Sequence, residues 1–135
     1  MRDKVLVVAA VVCGLIAAAV PVAAHHSFAA QYDRNKQATL TGPVSKVDWI
    51  NPHARFILDV KDATGKVAKW EVELSAPAIL MRRGWTRNSL PIGEVVTVSG
   101  SLAKDGSNMI NASSVTLASG KRVFSGSAEE EDGAK

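Results

Sequence analysis

Two adjacent histidines, His25 and His26, directly follow a stretch with the features of a cleaved export signal. If cleavage follows Ala24, the mature chain begins with a free amino group on one histidine and carries a second imidazole at its next position. A terminal amine and imidazole rings lose their protons near neutral pH, so they bind a metal readily. Copper(II) binds such nitrogen donors more tightly than the other divalent first-row metals. The pair therefore indicates a copper(II) site.

Two copper geometries follow from this chain start. In the first, the amino group and ring of His25 chelate the metal and another ring completes the set, for which His53 is the remaining histidine. In the second, the amino group, the amide nitrogen of His26 and the His26 ring form fused chelate rings. Both suit square-planar copper(II) better than tetrahedral zinc. The alternative is structural: the terminal pair has no role, and His53 is half-buried and hydrogen-bonded where a strand begins.

The export prediction rests on residues 1–24. A short charged start precedes an uncharged apolar run over 5–20, and Val22 and Ala24 are small residues at positions that signal peptidase reads. The run is shorter than the roughly 20 residues that a bilayer-spanning helix needs. We therefore expect cleavage after Ala24, a periplasmic protein and no membrane span after cleavage. Cleavage also removes Cys13, the single cysteine, so the mature chain has no disulfide and no thiolate ligand.

The acidic tail and the rest of the mature chain carry charges of opposite sign. The full chain carries 16 basic and 13 acidic residues, a net charge of +3. Residues 125–135 are small and polar, contain four acidic residues and one lysine, and are predicted to be a disordered tail. The remaining part of the mature chain is mildly basic. This balance favours encounters with anionic surfaces but is no nucleic-acid signature, and we predict no nucleic-acid partner.

Most of the mature chain has the period-2 alternation of β-strands. The strand over 39–50 changes phase near Gly42 or Ser45, which indicates a bulged, bent strand. Ser75 is predicted to cap a short helix that has Pro77 in its first turn and ends before Gly84. The predicted strands cover 39–50, 55–61, 68–74, 94–103 and 110–117, followed by a short segment over 122–124.

Three strands, a short helix and two further strands indicate an all-β domain of the OB type, a small Greek-key barrel with the order β-β-β-α-β-β. A small β-sandwich is the alternative. The domain prediction is a signal peptide at 1–24, an N-terminal arm at 25–37, the barrel at 38–124 and the acidic tail at 125–135.

Two charged groups have simple structural interpretations. Lys69, Glu71 and Glu73 alternate along one strand and are predicted to form a solvent-facing set. The arginines that surround Trp85 are predicted to be helix-end and loop charges, with the indole packed on the barrel. An anion-binding patch is the alternative there.

Several segments together resemble a known family of small exported bacterial proteins that is carried as a domain of unknown function. The segments are Ala24-His25-His26-Ser27-Phe28, Asn51-Pro52-His53, Arg82-Arg83-Gly84-Trp85-Thr86-Arg87 and Lys104-Asp105-Gly106-Ser107. The resemblance covers the mature chain up to about Gly126. It implies an exported OB-like β domain and no defined activity.

The sequence favours a non-enzymatic, exported binding or interaction module whose partner is a protein or envelope component. The alternative is a periplasmic copper-binding protein that uses His25, His26 and His53. Motifs for nucleotide binding, serine hydrolysis and zinc proteolysis are absent from the sequence. We therefore predict no enzyme and no certain cofactor, with copper(II) as the alternative; a copper-dependent oxidase is the most distant alternative.

Overall fold

The structure, a computed structural model, describes residues 28–126. The predicted signal peptide, His25, His26 and the acidic residues of the tail lie outside this range. The elements in chain order are α1 (Phe28–Gln31), β1 (Tyr32–Asp48), β2 (Arg55–Lys61), β3 (Val67–Glu73), α2 (Pro77–Arg82), β4 (Val95–Ala103), β5 (Met109–Leu117) and β6 (Arg122–Ser125).

The strand pairing closes a barrel. β1 pairs antiparallel with both β2 and β4, β2 pairs with β3, and β4 pairs with β5. A parallel pairing between β3 and β5 joins the two ends of this sheet. β6 adds a short antiparallel strand to β5. Five strands in this order, with α2 between β3 and β4, make an OB-type barrel. The predicted fold class is confirmed, and the sandwich alternative is wrong.

β1 is long and bent, and it pairs with two neighbouring strands. Its first part, up to Pro43, pairs with β4, and the part from Val44 onward pairs with β2. The register with β2 shifts at Ser45, where the sequence predicts a bulge. Gly42 lies at the changeover, and a Cβ there would lie 2.0 Å from the carbonyl oxygen of Asp59. Only glycine allows this close approach of two backbones.

β1 also begins earlier than its predicted start at residue 39. Its first residue is Tyr32, and the register with β4 is irregular between Asp33 and Gln37. The exposed residues 34–37 have no apolar alternation, so the sequence pattern does not reveal this part of the strand. Part of the segment predicted as an arm therefore belongs to the sheet.

The barrel interior is filled by side chains that alternate along each strand. Phe56 and Leu58 of β2, Val72 of β3 and Ile110 of β5 are each no more than 1 % exposed. Residues from β1, β4, α2 and the loop after α2 complete the same apolar cluster. This burial of apolar surface is the main source of stability for a small domain without disulfides.

α2 begins one residue later than the sequence predicts. Ala76 is its N-cap residue, and no side chain caps the helix. Ser75 precedes the N-cap residue and does not act as the cap; its carbonyl oxygen accepts a 3.1 Å hydrogen bond from the amide of Ala54. Gly84, with φ of 88°, ends the helical segment as predicted. Between residues 28 and 126, no helix has the length and apolarity needed to cross a membrane.

Candidate functional site

Glu73 is a charged residue on the outer face of the barrel, yet it is buried. Val72 points into the barrel, and successive side chains of a strand point to opposite faces, so Glu73 points outward. It is nevertheless only 3 % exposed. The prediction of a solvent-facing row over Lys69, Glu71 and Glu73 is therefore wrong for Glu73, because other parts of the chain cover this end of β3.

Three side chains bind the buried carboxylate. His53 places Nδ1 3.3 Å from Glu73 Oε1, and Arg55 places Nη2 3.1 Å from Glu73 Oε2. Asn111 donates a 3.3 Å hydrogen bond from Nδ2 to Oε1. We call these residues, together with Tyr32, the Glu73 cluster. It combines a carboxylate, a guanidinium, an imidazole, an amide and a phenol in one buried place.

The strand register assembles this cluster. Arg55 of β2 is the register partner of Glu73 of β3, and Glu73 is the partner of Asn111 across the parallel pairing with β5. Register partners project from the same face of a sheet, so the three side chains meet. Arg55 also bridges sideways to Glu71, with 2.8 Å between Nη1 and Oε1. The closure of the barrel between β3 and β5 is thus what brings Asn111 to the hairpin of β2 and β3.

The chain start covers the cluster from outside. Phe28 of α1 packs with Tyr32, Ala103 and Met109 in a small apolar cluster separate from the barrel interior. The Phe28 and Tyr32 rings lie 5.7 Å apart between centroids. The loop between β4 and β5 holds α1 in place, because Lys104 donates from Nζ to the carbonyl oxygen of Ala29 at 2.5 Å. α1 and the first residues of β1 therefore form a lid over the outer face.

The electrostatics of the cluster favour an ionised Glu73. Burial alone would raise the pKa of this carboxyl, but the contacts with His53, Arg55 and Asn111 outweigh burial and hold it below its usual range. Burial, and then the charge of Glu73, raise the pKa of the Tyr32 hydroxyl well above its usual range. That hydroxyl makes no hydrogen bond of ordinary geometry within residues 28–126. The cluster is therefore a fixed negative charge beside an imidazole and a neutral phenol.

The structure places one of the three predicted metal ligands in this cluster. His53 lies in the loop between β1 and β2, its side chain is 19 % exposed, and its ring faces Glu73. This agrees with a half-buried, hydrogen-bonded histidine and also orients the ring for a ligand. His25 and His26 lie outside the described residues. Within the described range no three His, Cys, Asp or Glu side chains are grouped to hold a metal.

Sequence reasoning missed Tyr32, Glu73 and Asn111. The alternation of β3 places Glu73 on one face with Lys69 and Glu71, but its opposition to Arg55 depends on a strand register that the sequence pattern does not determine. The contacts with Asn111 and Tyr32 depend on barrel closure and on the path of the chain start.

Comparisons with known proteins identify a similar solved structure and a family of unknown function. A similar solved structure is the N-terminal domain of the PriB protein from Thermoanaerobacter tencongensis, determined as a dimer. It is 16 % identical, covers 62 % of this chain and 96 % of its own, and superposes with a TM-score of 0.42. A comparison with curated proteins finds no significant match. The model of a family of unknown function, DUF6152, matches residues 10–111, most of the chain, and the protein therefore belongs to that family.

Proposed function

We propose that this protein is an exported, non-enzymatic binding module and that its ligand is copper(II), held by the mature chain start and His53. The observation that carries the proposal is the pairing of His53 with Glu73. The Nδ1 atom of His53 lies 3.3 Å from a carboxylate oxygen that is itself fixed by other contacts.

A carboxylate behind an imidazole is the usual second partner of a metal-binding histidine. It fixes the ring orientation and the tautomer and makes the other ring nitrogen a better donor. Because Glu73 engages Nδ1, the metal would be bound through Nε2 of His53. Glu73 itself is poorly suited to be a direct ligand, because Arg55 and Asn111 also occupy its oxygens. We therefore assign Glu73 as a positioning residue.

The chain start leads to the same end of the barrel. Phe28 contacts Tyr32, and the charge of Glu73 acts on the Tyr32 hydroxyl, so Phe28 and His53 flank the same cluster. An extended chain advances at most about 3.6 Å per residue, so the Cα atom of His25 lies within about 11 Å of that of Phe28. The proposed site requires that this short tether bring the terminal amine and the ring of His25 to His53.

The donor set also fits copper(II) chemically. A terminal amine and imidazole rings are nitrogen donors that suit a square-planar ion. The ionised Glu73 adds a nearby negative charge that favours binding of a cation. When bound, copper(II) would link the mature chain start to the barrel. The residues within 28–126 supply only the anchoring part of this site.

Titration calorimetry on the mature protein tests the terminal-amine model. Protein that begins at His25 should bind one copper(II) with better than micromolar affinity. Protein whose His25 α-amino group is acetylated keeps every side chain and loses only this amine donor, so its affinity should fall. Equal affinity of the two proteins, or no saturable heat, would contradict the model.

A second comparison tests the role of Glu73. Glu73→Gln removes the charge behind His53 and should weaken copper binding by about 10-fold to 100-fold, as for other residues behind a metal ligand. Glu71→Gln, next to it on the same face, is the matched control and should change the affinity little. Circular dichroism checks that both variants are folded.

A further inference from the structure

A second candidate site lies where the loop after α2 contacts β6. Trp85, only 7 % exposed, donates a 2.6 Å hydrogen bond from Nε1 to the carbonyl oxygen of Val123. Its ring packs edge-on against Phe124, at 6.1 Å between centroids and 89° between planes. A groove of about 270 Å³ runs along this contact, lined by Arg83, Trp85, Arg122, Val123 and Phe124. The prediction that the Trp85 indole packs on the barrel is confirmed.

The groove combines a rigid apolar floor with a basic rim. Arg83 and Arg122 are exposed and line it from two elements that are far apart in sequence. Two further exposed basic residues, Arg82 and Lys121, directly precede Arg83 and Arg122 in the chain. None of the lining residues, all from the described part of the chain, is acidic. The groove is therefore suited to an anionic segment rather than to an apolar one.

The chain itself supplies such a segment. β6 ends at Ser125, and the amide of Gly126 still donates to the carbonyl oxygen of Ser113. The acidic residues Glu129, Glu130, Glu131 and Asp132 follow within a few positions. Arg122 lies about 13 Å back along the strand from Gly126, at about 3.3 Å per residue. Six residues of extended chain span up to about 21 Å, so Asp132 can fold back to the groove.

We infer that the groove beside Trp85 binds the acidic segment 129–132 of the same chain. The two arginines face opposite charges, and the tether keeps the segment at a high effective concentration. Exposed ion pairs are individually weak and are screened by salt. The docked segment is therefore released at high ionic strength or by a competing acidic peptide, which exposes the arginines and the Trp85 edge.

NMR on the mature chain tests this inference through its three tryptophan indoles. Neutralising the segment with E129Q, E130Q, E131Q and D132N together should shift the Trp85 indole and the Arg122 amide. The Trp49 and Trp70 indoles are internal controls and should not move. The same shifts should appear when salt is raised, and they should be absent when salt is raised on the neutralised variant.

Arginine variants complete the test. Arg83→Gln with Arg122→Gln should abolish the response to salt, whereas Lys61→Gln with Lys66→Gln, in the hairpin between β2 and β3, should preserve it. An unchanged Trp85 resonance on neutralisation would overturn the inference. Shifts that grow with protein concentration would also overturn it, because they would place the segment on a second copy. Neither result bears on the proposed copper site, which uses His53 and the mature chain start.

Discussion

The two faces of β3 carry buried residues of opposite character. Val72 points inward, has no exposed surface and packs in the apolar interior. Glu73, the next residue, points outward and is almost equally buried, but among charged and polar side chains. The inner face is buried because the barrel closes, and the outer face is buried because the chain start folds over it.

The difference between the two faces separates the side chains that the fold requires from those that are available for a binding function. An apolar interior is sufficient to stabilise a small barrel. A buried ion pair adds little net stability compared with a well-packed apolar group. The cluster on the outer face therefore has no evident necessity for the fold, which supports its assignment as the anchoring part of a binding site. The predictions below test this separation.

The largest effect is expected from the inner face. Phe56→Ala removes a ring that is 1 % exposed and should lower the free energy of unfolding by about 3–5 kcal/mol. Ile57→Ala, the neighbour on the outer face, should lower it by about 1 kcal/mol, because Ile57 is only half-buried. Urea denaturation measures both values. Similar losses for the two variants would contradict the assignment of faces.

The next effect concerns the carboxylate of the cluster. Glu73→Gln leaves Arg55 and His53 with a poorer partner in a buried place and should lower the free energy of unfolding by about 3 kcal/mol. Glu71→Gln should lower it by less than about 1 kcal/mol, because that side chain is 32 % exposed. A loss for Glu73→Gln no greater than for Glu71→Gln in urea denaturation would mean that Glu73 is not buried as described.

The pH dependence of the unfolding free energy tests the same carboxylate. The pKa of Glu73 is lowered in the folded chain, so its ionised form stabilises the fold above the unfolded-state pKa of about 4.3. This stability is lost as the pH falls toward the folded-state pKa. The difference in unfolding free energy between wild type and Glu73→Gln should therefore shrink on acidification from pH 5. Other lowered carboxyls, such as Asp59 and Asp62, are common to both proteins and cancel. A difference that is independent of pH would contradict the account.

The smallest effect is expected at Tyr32. Its hydroxyl is buried and has no hydrogen-bond partner of ordinary geometry in residues 28–126. Tyr32→Phe keeps the ring contact with Phe28 and removes only this oxygen, so stability should stay the same or rise by up to about 1 kcal/mol. Thermal unfolding of the two proteins checks this, and a clear loss of stability would show that the hydroxyl has a partner.

The sequence predicts the barrel well because local patterns determine most of it. Alternation identifies β2, with the bounds predicted, and Gly84 marks the end of the segment that contains α2. Ser75 shows the limit of such rules, because its carbonyl oxygen bonds to the amide of Ala54 and the helix begins one residue later than predicted.

The site is harder to predict because it depends on contacts between distant segments. The alternation of Glu73 with Lys69 is the same for a solvent-facing row and for a row covered by another segment. Only the positions of Tyr32 beside Glu73 and of α1 beside Met109 distinguish them, and a helix of one turn has too little periodicity to be identified from the sequence. His53 was identifiable, but its partner was not.

The most direct test of the central claim is a copper(II) titration of the mature protein and its His53→Ala variant, followed by calorimetry and electron paramagnetic resonance. The account predicts one copper(II) per chain, a loss of affinity of at least about 10-fold in the variant, and a changed spectrum that reports one nitrogen donor fewer. Equal affinity and an identical spectrum for the two proteins would contradict it, because His53 and the Glu73 cluster behind it would then have no part in binding.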